Sequence, residues 1–182
     1  MKHLGFAVSE VMEGSLRKPG ENFDREFRFD LRVLFPALWR ILALAVGWAR
    51  GTCHIDGVAR DAAAVGTLEL SPFRRRLARY TFTFTADDGN EYRFDGWKSA
   101  GWNPRTAWTT LPGKVYDADG EVWATATLHF SFRYHFPGLL SSFQFLWPWR
   151  GDEQADVAAP SPALLASFSP GSAPSEPKRL RR

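Results

Sequence analysis

The stretch from Tyr80 to Trp97, YTFTFTADDGNEYRFDGW, constrains what this chain can fold into more than any other part of it. Tyr80, Phe82 and Phe84 alternate with Thr81, Thr83 and Thr85, a period of two that suits a strand and no helix. Asp88-Gly89 then supplies turn chemistry. Tyr92 and Phe94 return in alternation with Arg93 and Asp95, completing an antiparallel hairpin with one apolar face.

The same period recurs along the chain. Phe27, Phe29, Leu31 and Val33 share one face, with Arg28, Asp30 and Arg32 on the other. After the turn Asp117-Ala118-Asp119-Gly120, Val122, Ala124, Ala126, Leu128, Phe130 and Phe132 face one way. Trp123, Thr125, Thr127, His129 and Ser131 face the other. Weaker strands are expected at 6–12, 52–58, 66–70 and 106–111. Short strands with turn signals between them and no βαβ rhythm predict an all-β chain. The expected fold is an antiparallel β-barrel or barrel-like sandwich of calycin (lipocalin-like) shape.

Two segments depart from the period of two. Residues 36–48 place apolar side chains at 38, 41, 42, 45 and 46, a helical spacing with Pro36 suited to a first turn. Residues 136–149, FPGLLSSFQFLWPW, are dense in aromatics and broken by prolines. Both read as short helices or lids against the sheet. Residues 1–150 are expected to form the folded domain. Residues 151–182 are expected to be a disordered Pro/Ala/Ser-rich tail, because they have too few apolar residues to offset the entropy of ordering. The tail ends in Lys178, Arg179, Arg181 and Arg182, which read either as solvated charge or as a contact with an anionic membrane or partner.

Composition narrows the function classes. The formal charge of +3 is small, and Arg74-Arg75-Arg76 is the sole basic run in the expected domain, which argues against nucleic acid. A single cysteine, Cys53, cannot form an internal disulfide. The first residues lack the apolar run of a signal peptide. Residues 31–49 contain Arg32, Pro36 and Arg40, leaving an apolar run well short of the roughly 20 residues of a spanning helix. A cytoplasmic protein is expected. Aromatic residues make up 15% of the chain, including 8 Trp, which suits a β core or the wall of an apolar cavity.

Several stretches resemble a β-rich accessory domain found alone or beside cholesterol-oxidase-like (GMC-type) flavin oxidoreductases and α/β-hydrolase modules. They are EVMEG at 10–14, GTCH at 51–54, GTLELSP at 66–72, Tyr80 to Trp97 with Lys98, TTL at 109–111 and LLSSF at 139–143. The resemblance implies proximity to sterol or lipid metabolism. The chain has no G-x-G-x-x-G before a helix and no G-x-S-x-G, so neither a flavin site nor a hydrolase nucleophile is expected in it, and no cofactor.

Chemistry-bearing residues are few. Cys53 and His54 are neighbours on a strand and point to opposite faces, so they read as a buried thiol and a satisfied imidazole. The histidines at 3, 54, 129 and 135 lack metal-ligand spacing. Asp87-Asp88 and Asp117/Asp119 belong to turns. His129 shares a face with Trp123, Thr125 and Thr127: turned inward these would line a partly polar cavity, turned outward they are a strand surface. Gly96 within a strand suggests a bulge or a close approach by another group. Lys98 beside Trp97 either closes a loop with Asp95 or holds a carbonyl or anionic head group at a barrel mouth. Thr109-Thr110 either bonds within a turn or joins that mouth.

The expected function is binding of an apolar small molecule, lipid or sterol-like, without catalysis. Its expected contacts are His54, Trp97, Lys98, Thr110, Trp123, Thr125, Thr127 and His129. The alternative is an accessory module that docks a separate oxidoreductase or hydrolase through 136–149. An unrecognised enzyme would need His54, Lys98 and His129 to converge.

Overall fold

The computed structural model describes residues 5–36, 44–71, 77–99, 109–130 and 144–146. Nine strands follow one another: β1 (Gly5–Arg17), β2 (Arg25–Phe35), β3 (Ala45–Ile55), β4 (Ala59–Ser71), β5 (Leu77–Thr85), β6 (Glu91–Ser99), β7 (Thr110–Tyr116), β8 (Val122–His129) and β9 (Gln144–Leu146). Each of the first seven pairs antiparallel with the next, and β1 pairs with both β2 and β8, which closes an eight-stranded up-and-down barrel. β8 covers only the second half of β1, from Glu13 to Arg17. β9 takes the same edge of β1 at Gly5–Ala7.

Four hairpin turns gather at one end of the barrel: 18–24, 56–58, 86–90 and 117–121. β2, β4 and β6 end, and β3, β5 and β7 begin, at the other, called here the loop end. Gly57, Gly89 and Gly120 hold φ of 68°, 85° and 82°, which the tight turns require and which other residues seldom adopt. In the β5–β6 turn the Asp88 carboxylate accepts from the Asn90 backbone N–H at 2.9 Å. That bond holds the Asp88 carboxyl below its usual range.

The alternation sorts side chains into an apolar interior and a polar exterior. Phe27, Phe29, Phe82 and Phe94 are all 1% exposed or less. Their ring centroids lie 5.1–6.3 Å apart in mostly edge-to-face and tilted contacts, an arrangement that adds to burial. Phe84 and Tyr92 extend this plug toward the hairpin end. Burying one such ring stabilises the fold by about 1.5–3 kcal/mol. Small residues opposite make room for the rings. The Phe94 ring lies over the cross-strand pair Gly96 and Gly113, where an added Cβ would stand 2.6 Å from it on either strand. Gly96 therefore marks a close approach with no bulge in either ladder.

The helical reading of 36–48 is corrected over its second half. Ala45, Val46 and Trp48 belong to β3, with Ala45 and Ala49 buried inside and Val46 exposed outside. Gly47 disfavours a helix, and its missing side chain admits the Phe35 ring, 2.7 Å from where a Cβ would sit. Residues 37–43 lie outside the described part, as do most of 136–149 and all of the tail. Among the described residues there is no helix, and none long and apolar enough to cross a membrane.

Candidate functional site

Three polar side chains occupy inward positions where the alternation calls for apolar ones. Glu10 lies between Val8 and Met12 on β1, Tyr80 between Ala78 and Phe82 on β5, and Lys98 follows Tyr92, Phe94 and Gly96 on β6. They meet inside the barrel. The Lys98 ammonium donates to Glu10 Oε1 at 2.6 Å, and the Tyr80 hydroxyl donates to Glu10 Oε2 at 2.5 Å. Met12 Sδ stands 3.5 Å from Lys98 Nζ. The ammonium also lies 5.1 Å from the Tyr80 ring centroid and 5.9 Å from that of Phe130, within reach of cation–π attraction.

The cluster is nearly dry: the Lys98 and Glu10 side chains are 4% and 12% exposed. Taking both charges out of water carries a desolvation penalty that the ion pair only partly recovers, so well-packed apolar residues would serve stability at least as well. Burial, followed by the Glu10 charge and hydrogen bond, pushes the Tyr80 hydroxyl well above the ordinary phenol range. Tyr80 is thus a neutral hydroxyl donor to Glu10.

The position of the cluster matters as much as its chemistry. Tyr80 rests against Phe29 at 6.0 Å between centroids, so it caps the aromatic plug that fills the hairpin half. Lys98 stands one residue before the end of β6, at the loop end. The cluster therefore lies on the loop-end side of that plug, in a part of the interior where Phe6 and Phe35 stack at 4.6 Å.

Of the eight residues expected to bind, Lys98 alone points inward. Trp97 is on the outer face, 37% exposed. Thr125, Thr127 and His129 are exposed on the outer face, which corrects the cavity reading of that strand, while Trp123 is half-buried against the core. Ala124, Ala126, Leu128 and Phe130 turn inward instead, because they fit beside the rings while Thr125, Thr127 and His129 keep their water. Trp123 packs its ring 4.9 Å from that of Tyr92, with the Lys18 ammonium 5.2 Å above it. Thr110 Oγ1 lies 3.3 Å from His129 Nδ1 on the outer surface. Lys98 pairs with Glu10 and leaves Asp95 to Arg79, which binds it through two nitrogens at 2.9 and 2.6 Å.

His54 lies on the outer face beside a register shift between Cys53 and Ile55. Across from it Asp61 adopts φ 50°, an uncommon conformation that Asp tolerates. Together with Glu26, Arg28, Asp30 and Thr52 they line an open polar groove of about 300 Å³. The His54–Asp61 separation of 3.9 Å and their exposure make this a loose surface pair. Cys53 faces the interior, where burial pushes its thiol up to about 12. The convergence of His54, Lys98 and His129 does not occur. Among the described residues no three His, Cys, Asp or Glu side chains gather as metal ligands.

The sequence carried a signal for the residues its reading missed. Glu10 and Lys98 sit at inward parity between apolar residues, and Tyr80 heads an apolar row with a hydroxyl. Comparison with family models, curated proteins and solved structures finds no match to this chain.

Proposed function

We propose that the barrel is a binding module that receives a small, largely apolar molecule at its loop end. The polar group of the ligand would sit against Lys98, Glu10 and Tyr80, with its apolar body against side chains such as Val8 and Phe130. The observation that carries this reading is the buried ammonium–carboxylate–phenol cluster in an otherwise apolar interior. A cluster so costly to bury, and unneeded for closing the barrel, is accounted for by a ligand that uses it. The plug of Phe27, Phe29, Phe82 and Phe94 fills the hairpin half and favours the loop end as the place of entry.

The test is mild purification of the full chain, solvent extraction and mass spectrometry of the small molecules that accompany it. The expected result is a lipid or sterol-like compound near one per chain, lost from Lys98→Met and retained by Trp123→Ala. An empty extract from folded protein, or a compound retained by Lys98→Met, contradicts the proposal.

A further inference from the structure

Resting on that reading, we infer that the ligand's polar group is uncharged, a carbonyl or hydroxyl, and that Glu10 enforces this choice by excluding carboxylates.

The cluster already holds one ammonium and one carboxylate 2.6 Å apart, so its formal charge is zero. A carboxylate entering beside Lys98 would bring a second anion next to Glu10. In an interior this dry, the repulsion and the loss of water would oppose it strongly. A neutral group meets no such barrier and finds partners waiting. The Lys98 ammonium has three protons, and among the described residues its hydrogen-bond partners are Glu10 Oε1 and the weak acceptor Met12 Sδ. That leaves capacity for a carbonyl or hydroxyl oxygen. Among the described residues each Glu10 oxygen receives one donor, from Lys98 and from Tyr80, and a carboxylate can accept about four bonds in all. A ligand hydroxyl could therefore accept from Lys98 and donate to Glu10 at once.

The alternative arrangement, a lone lysine or arginine at the end of an apolar barrel, would select an anionic head group. Glu10 turns the same lysine into a neutral-ligand site, and Tyr80 holds the Glu10 carboxylate in place through a bond independent of Lys98. Removing the charge at Glu10 should reverse the preference without removing the ammonium.

The test uses three slim fluorescent probes that differ only in head group: cis-parinaric acid, its methyl ester and the corresponding alcohol. Each is titrated into the full chain at neutral pH, where the acid is ionised. The expected result is that the ester and alcohol bind at least tenfold more tightly than the acid. In Glu10→Gln the acid should gain at least tenfold relative to the ester. Acid binding as tight as the ester in the unaltered protein overturns the inference and leaves the binding reading intact. Failure of all three probes to bind the folded protein overturns the reading, and the inference with it. The comparison in the unaltered protein decides the question even where Glu10→Gln does not fold.

Discussion

Lys98 and Glu10 stand 88 residues apart in the chain and meet inside the barrel, ammonium to carboxylate, at 2.6 Å. The contact spans the interior between β6 and β1, which are not neighbours in the sheet. Removing either partner strands the other as a buried charge. Glu10→Gln and Lys98→Met are each expected to lower stability by about 3–5 kcal/mol. The double variant should cost clearly less than the sum, because neither charge is then left alone. Urea unfolding of the four proteins measures the coupling; additive losses would show that the two side chains do not interact.

Stability should fall in alkali through two interior groups. The Cys53 thiol is raised from 9.0 to about 12, and the Tyr80 hydroxyl is raised above 10.0. In each case the unfolded chain releases its proton at a lower pH than the folded one does. The stability these protonated groups contribute is therefore complete below about pH 9 and is lost as pH rises toward 12. The slope should approach about 1.4 kcal/mol per pH unit for each group once its unfolded form has ionised. Unfolding followed at pH 8, 9, 10 and 11 should show the decline, and Cys53→Ala should flatten its lower part.

The same burial makes Cys53 an inert thiol in the folded protein. It is 1% exposed and protonated at neutral pH. A maleimide is expected to label it only at the rate of unfolding, and mild denaturant should accelerate the reaction. Rapid labelling without denaturant would contradict its place in the interior.

Barrel curvature brings strands so close at Gly51 that an added Cβ would stand 1.8 Å from the Asp30 carbonyl oxygen. Backbone cannot yield as a flexible side chain does. Gly51→Ala is expected to cost about 3 kcal/mol or more. Thr127→Ala, on the exposed outer face, should stay within about 0.5 kcal/mol. Thermal unfolding of the two variants separates these cases.

The barrel was legible in the sequence because a strand's period of two survives wherever one face is buried. Tyr80–Phe84, Phe27–Val33 and Ala124–Phe130 lie where the alternation put them, and the Asp-Gly turns at 88–89 and 119–120 link the expected strands. Residues 45–48 misled because Ala45 and Val46 fit a helical spacing as well as a strand, and sequence gave no sign that Gly47 makes room for Phe35. For the site, alternation divides a strand into two faces without saying which one is inside. On β8 the polar Trp/Thr/His row was open to either reading, and the small Ala124 and Ala126 take the interior because rings from other strands fill the space beside them. Lys98 was singled out for its neighbours Trp97 and Asp95. Its actual partners, Glu10 and Tyr80, lie on strands that only the closure of the barrel brings together.

Met12 offers a direct report on whether a ligand enters the barrel. The chain has 2 methionines, and Met12 is fully buried with its sulfur 3.5 Å from Lys98 Nζ, so its methyl group reports from inside the proposed site. With the methionine methyl carbons labelled by ¹³C, NMR spectra are recorded while cis-parinaric acid methyl ester is added. A ligand held inside the barrel should give a saturable shift of the Met12 methyl signal, with the His129 ring signals on the outer face unchanged. An unmoved Met12 signal while the probe binds, or shifts confined to His129 or His54, would place binding outside the barrel and contradict the proposal.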